Sequence, residues 1–146
     1  MGLTERLSSR RVYFDTNIVI YLVEGFIDSQ SVINELQDLL SINDCEAVTS
    51  ELTLCESLIQ PFKIESAEGI TIYRSFLEES GVFDPVAPSR DIFVQAAFLA
   101  GTTAMKIPDA IHVATALESK CEMMLTNDKK MRTTKELEKI LLSDYQ

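Results

Sequence analysis

Arg11-Val12-Tyr13-Phe14-Asp15-Thr16-Asn17 sets a β-branched residue and two aromatics directly before a carboxylate. A short run of this kind suits a fully buried strand of a parallel sheet, and it places Asp15 at the strand's carboxyl end. In open parallel α/β sheets the crevice outside those strand ends is where ligands bind, so an acid there is a candidate site residue. Asp15 and Thr16 are also short polar side chains able to cap a helix opening at Ile18, and from this motif alone capping explains them equally well.

Working outward, Ile18 to Val23 reads as a short helix broken near Gly25, and Val32, Ile33, Leu36, Leu39 and Leu40 follow the spacing of an amphipathic helix from Ser29. Glu46 to Thr49 is a second strand. Ser50 caps a helix through Leu52, Cys55, Glu56 and Ile59 that Pro61 is expected to stop. A helix is expected over Ser66 to Glu79, then a weak third strand over Val82 to Ala87, placed near a sheet edge by Pro85. Asp91 to Ala100 reads as a helix ended by Gly101. Ile107-Pro108-Asp109-Ala110 opens the next helix, with proline at its start and an acid in its first turn.

Met123, Met124 and Leu125 form a buried fourth strand running into Thr126-Asn127-Asp128, a second strand that ends in an acid. Lys129 to Leu142 is expected to be a basic, then mixed helix, with room for a short edge strand at Ile140 to Leu142. The alternation implies a three-layer α/β fold with a central, mainly parallel sheet of four or five strands flanked by helices. A length of 146 residues with 46% hydrophobic content fits one domain over 1–146, with a core of about 11–142.

Composition narrows the function. The net charge of −10 argues against a non-specific grip on nucleic acid and suits an acidic metal site or a basic partner. Five basic residues, Lys129, Lys130, Arg132, Lys135 and Lys139, nevertheless follow Asp128 closely and would form a stripe on a helix. No run approaches the roughly 18 apolar residues of a membrane span, and no signal-peptide core is seen, so a cytoplasmic location is expected. Cys45, Cys55 and Cys121 are odd in number and unpaired in motif, which suggests neither a disulfide framework nor a zinc site.

Asp15, Glu56, Asp109 and Asp128 all fall at strand ends or early in the helices that follow, hence on one rim of a parallel sheet. Two such charges within about 4 Å repel by on the order of 4 kcal/mol at an effective dielectric near 20, which protonation or a cation relieves. All-oxygen donors select Mg2+ or Mn2+. Taken singly, each acid has a plainer role: Glu56 could complete a capping box with Thr53, Asp109 could complement the helix dipole, and Asp128 could cap a helix. Their joint occurrence favours a site. His112 shares the face of Asp109 but reads as a packed residue of an apolar helix.

These segments resemble the four ordered acidic motifs of the PIN domain: Val12-Tyr13-Phe14-Asp15-Thr16-Asn17, Ser50 to Glu56, Ile107-Pro108-Asp109-Ala110-Ile111-His112 and Leu125-Thr126-Asn127-Asp128. The similarity spans Arg11 to Asp128 and is nearest to the VapC-like toxin ribonucleases of toxin–antitoxin systems. It implies a Mg2+- or Mn2+-dependent endoribonuclease acting on RNA, with Asp15, Glu56, Asp109 and Asp128 as the catalytic and metal-binding acids and Asn17 and Thr126 as polar supports. It also implies an antitoxin protein as partner, and a homodimer is expected. Met131 stands where many relatives carry an aromatic. Lys129, Lys130 and Arg132 are the expected RNA-binding residues. The rival readings are a haloacid-dehalogenase-like phosphatase, which normally wants a second acid where Asn17 stands, and an inactive PIN-like binding module.

Overall fold

The computed structural model describes residues 1–83 and 85–146. Strands β1 (Arg11–Phe14), β2 (Glu46–Val48), β3 (Met123–Thr126) and β4 (Glu138–Leu141) form an all-parallel sheet in the order β2-β1-β3-β4. The two central strands are buried throughout apart from Arg11, as expected for apolar runs covered on both faces. Side-chain alternation divides them between two cores. Val12 and Phe14 join Met123 and Leu125 on one face, under helices α1 (Leu3–Leu7), α2 (Thr16–Glu24) and α3 (Gln30–Ser41). Tyr13 and Met124 point the other way, under α6 (Arg90–Thr103) and α7 (Ile107–Glu118). Each fully buried large side chain here, such as Phe14 or Leu125, contributes about 1.5–3 kcal/mol.

The register positions the chemistry. Val12 pairs with Met123 and Phe14 with Leu125, and the backbone N–H of Asp15 donates to the carbonyl of Leu125 at 3.0 Å. The residue after β1 and the last residue of β3 therefore lie side by side at the carboxyl edge. Glycine ends α2 as the sequence suggests, with Gly25 at φ 83°.

Several segments differ from the sequence-based expectation. Residues 129–137 are not a helix: they form turns and irregular chain, and the edge strand is β4 over Glu138–Leu141, followed by a 3-10 turn at Leu142–Tyr145. Pairing satisfies the open edge of β3, while Met131 and Leu137 bury their side chains against the α6–α7 layer. Lys139 then donates from Nζ to the carbonyls of Lys129 and Met131, at 2.9 and 2.8 Å. The expected strand over Val82 to Ala87 reduces to an isolated parallel bridge between Ser50 and Val86, and Asp84 lies outside the described residues.

Pro61 does not stop its helix. Helix α4 (Glu51–Lys63) contains it and ends two residues later, losing only the bond that its missing N–H would have given Ser57. Its ring is buried where α5 (Ala67–Arg74) passes closely, and a Cβ on Gly69 would stand only 3.3 Å from that of Pro61. Beyond α5 the chain widens into a π turn over Ser75–Glu79. Gly101 lies within α6, which ends instead at Ala104 in a left-handed conformation. Helix α1 has no counterpart among the elements expected from sequence. Among the described residues no helix is long and apolar enough to cross a membrane.

Candidate active site

Asp15 leaves β1 buried, with its carboxylate fully engaged. Its Oδ1 accepts from the Thr16 backbone N–H at 2.9 Å; its Oδ2 accepts from Thr126 Oγ1 at 2.6 Å and from Asn17 Nδ2 at 3.1 Å. Asp15 is thus both the cap of α2 and the centre of a polar cluster. Asn17 also accepts the Asn127 N–H on Oδ1 at 3.0 Å, and Thr126 Oγ1 accepts the Asp128 N–H at 3.1 Å. Asn17 and Thr126 therefore tie the end of β1 to the end of β3.

Ser50 caps α4 by accepting the Leu52 N–H at 2.9 Å. One turn on, Glu56 faces the same cluster. Its Oε1 accepts from Thr16 Oγ1 at 2.7 Å and lies 2.6 Å from His112 Nε2. Burial opposes ionisation of Glu56, yet the hydrogen bonds to His112 and Thr16 and the attraction of the imidazole outweigh it and hold the carboxyl below its ordinary range. Thr53, a candidate partner of Glu56 in a capping box, is buried instead, 2.8 Å from Thr49 Oγ1.

Asp109 enters from the first turn of α7, and Asp128 follows β3 with Oδ1 accepting the Lys130 N–H at 2.9 Å. Burial, then the charges of Asp15 and Asp128, push the Asp109 carboxyl above its ordinary value. Asp109 and Asp128 line a cleft of about 230 Å3 together with Lys106, Lys130 and Arg132. A wider, more open depression of about 800 Å3 near α1 and α3 is lined by Glu5, Glu35, Asp38 and Asp44, and by none of the strand-end acids.

The four acids are electrostatically coupled but do not form a closed cage. Among the described residues no three carboxylate, imidazole or thiol groups converge at coordinating distance. An open set of this kind suits an ion that keeps several of its waters and takes only one or two carboxylates directly.

Of the basic residues after Asp128, Lys130 and Arg132 reach the acidic cleft, while Lys129 is exposed outside its lining. Arg132 Nη1 donates to the Thr103 carbonyl at 2.7 Å. The helical stripe through Lys135 and Lys139 does not exist, because the helix does not. Sequence reasoning missed Lys106, brought to the cleft by the turn before α7, and it missed the partners of His112. The three-residue spacing from Asp109 carried a signal for His112, but Glu56 and Tyr13 are distant in sequence.

Opposite pH signatures follow for two of the acids. A carboxyl raised in the folded state is stabilising only below its unfolded-state value, and that stability is lost as pH rises through the folded value. Asp109→Asn is therefore expected to raise the melting temperature at neutral pH in metal-free buffer, with the gain vanishing under acid conditions. Glu56 is lowered, so its contribution is present above the unfolded value and lost as pH falls through the folded one. Glu56→Gln should lower the neutral-pH melting temperature and approach the parent in acid. Melting curves of both variants across pH check this; equal shifts at every pH would refute the coupling.

A family model described as "PIN domain" matches residues 12–137. Three solved structures share the fold. A toxin–antitoxin complex from Klebsiella pneumoniae aligns at 24% identity and TM-score 0.65, covering 86% of this chain and 94% of that one. The VapBC2 complex of Rickettsia felis, bound to a DNA fragment from its promoter, aligns at 18% identity and TM-score 0.67, covering 89% and 97%. FitAcB from Neisseria gonorrhoeae aligns at 17% identity and TM-score 0.66, covering 90% and 98%. No curated protein sequence matches the chain.

Proposed function

Because this chain belongs to the PIN domain family, we propose that it is a VapC-like endoribonuclease that hydrolyses RNA phosphodiester bonds with Mg2+ or Mn2+ and serves as the toxin of a toxin–antitoxin pair. The observation that carries this reading is the gathering of Asp15 and Asp128, at the carboxyl ends of β1 and β3, with Asp109 in the first turn of α7, where burial and then the charges of Asp15 and Asp128 raise the Asp109 carboxyl. A divalent ion bound there would lower the pKa of a coordinated water and neutralise charge on the phosphoryl oxygens. The all-oxygen donor set fits such an ion.

Each acid has a part in this scheme. Asp15, held by Thr126, Asn17 and the Thr16 N–H, would be the central ligand of such an ion. Asp109 and Asp128 would help to hold it. Glu56 would ligate it or orient a water as a base. Lys106, Lys130 and Arg132, beside Asp109 and Asp128, are placed to hold flanking phosphates.

The antitoxin is proposed to carry a basic segment, since the net charge of −10 favours a partner of opposite sign. A homodimer is proposed as well, supported by the exposed apolar residues Phe93, Val94 and Phe98 on α6. The purified chain is expected to cleave single-stranded RNA with Mn2+ and to stop on addition of a chelator. Expressed alone, it should slow growth of its host, and the Asp109→Ala variant should not. Intact RNA under all metal conditions would remove the nuclease reading, and equal growth of both cultures would remove the toxin reading.

A further inference from the structure

His112 is the only histidine of the chain, and it is 2% exposed at a position where α7 meets both β1 and α4. Its two ring nitrogens are used in opposite directions. Nε2 lies 2.6 Å from Glu56 Oε1, and Nδ1 lies 2.5 Å from the Tyr13 hydroxyl. Tyr13 is fully buried on β1, two residues before Asp15, with its ring edge-on to the imidazole at 63° and 5.7 Å between centroids.

A histidine that merely fills an apolar core has no need of two directed polar partners, and a buried polar group without them is costly. Here one partner is the backing and the other is a proposed site acid. A phenol hydroxyl can donate as well as accept, and at 2.5 Å the Tyr13 O–H is in reach of Nδ1. A carboxylate can only accept, so Nε2 carries a proton towards Glu56, and in the neutral ring Nδ1 is left to accept from Tyr13. This is the arrangement by which a supporting side chain fixes a ring and its tautomer.

We propose that Tyr13 and His112 form a brace that positions Glu56, the Nε2–H pinning Oε1 so that Oε2 is the oxygen presented to the cation or its water. The inference rests on the proposed metal-dependent nuclease. Oε1 is saturated by His112 and Thr16, whereas Oε2 takes no hydrogen bond among the described residues. Thr16 belongs to the same device, since it follows Asp15 directly and links the cap of α2 to the Glu56 carboxylate. His112 is thereby a positioning residue, acting through Glu56.

The test uses the single imidazole as a reporter. Nitrogen-15 NMR of the metal-free chain is expected to show the Nε2–H tautomer, and Glu56→Gln should perturb that signal. Mn2+ affinity is then measured by calorimetry on the parent, His112→Leu and His112→Gln. Leucine fills the core but removes the donor; glutamine keeps an N–H that reaches towards Glu56. A positioning role predicts that Mn2+ binding weakens on the order of 10-fold or more in His112→Leu and is partly restored in His112→Gln. A packing role predicts the reverse ranking, with leucine the better replacement.

Should His112→Leu fail to fold, Tyr13→Phe preserves the ring in the core and is expected to weaken Mn2+ binding and disturb the tautomer. Parental Mn2+ affinity in these variants, or an Nδ1–H tautomer in the parent, overturns the brace. A parent chain that binds no Mn2+ at all overturns the nuclease reading itself, and with it the purpose assigned to the brace.

Discussion

Asp15→Asn is expected to reduce Mn2+-dependent RNA cleavage to background while the far-ultraviolet circular dichroism stays that of the parent. The expectation follows from how the carboxylate is held. Both oxygens of Asp15 accept hydrogen bonds, from the Thr16 N–H on one side and from Thr126 and Asn17 on the other. An amide keeps the shape but turns one acceptor into a donor that must face a donor, and it removes the negative charge at the centre of the acidic rim. The broken hydrogen bond costs about 1–3 kcal/mol, too little to unfold a sheet whose central strands are buried on both faces. Full cleavage by Asp15→Asn would show that the chemistry lies elsewhere.

The second large effect concerns substrate binding. An acidic protein must bring a polyanion to an acidic cleft, so the flanking phosphates need local cations, and Lys106, Lys130 and Arg132 line that cleft. Replacing all three by Gln in the Asp15→Asn background allows RNA binding to be measured without cleavage. Each phosphate that is no longer neutralised should flatten the dependence of log affinity on log salt by about 0.7, so the triple variant should be shallower by about 2. Lys129→Gln, outside the cleft lining, should change the slope less. An unchanged slope in the triple variant would direct the RNA over another surface. Stability should be nearly unaffected, since all three side chains are exposed, although Arg132 gives up its bond to the Thr103 carbonyl.

The amino-acid sequence by itself determined the elements that local chemistry specifies. Val12-Tyr13-Phe14 and Met123-Met124-Leu125 are apolar in a way that only strands covered on both faces use, and each ends near an acid because a polar chain must leave the sheet there. Ser50, Gly25 and Pro108 marked helix ends through capping and backbone geometry, which act within a few residues. With those elements in order, four acids on one rim were legible from the residues alone, since in a parallel sheet all carboxyl ends face one way.

Tertiary structure decided what depends on partners distant in sequence. Residues 129–137 carry the helix formers Lys129, Lys130, Lys135 and Glu136, yet the unpaired edge of β3 recruits 138–141 as a strand, because leaving that edge's peptide groups unbonded costs more than helix propensity returns. Pro61 stays inside α4 because its buried ring lies against α5, whose Gly69 leaves room for it. Lys106 joins the cleft only through the turn between α6 and α7. His112 looks like an ordinary core residue of α7 until the fold sets Tyr13 on one side of its ring and Glu56 on the other. Local periodicity can place a side chain on a face, but only the packed sheet and helices determine which groups, 56 and 99 residues away, that face meets.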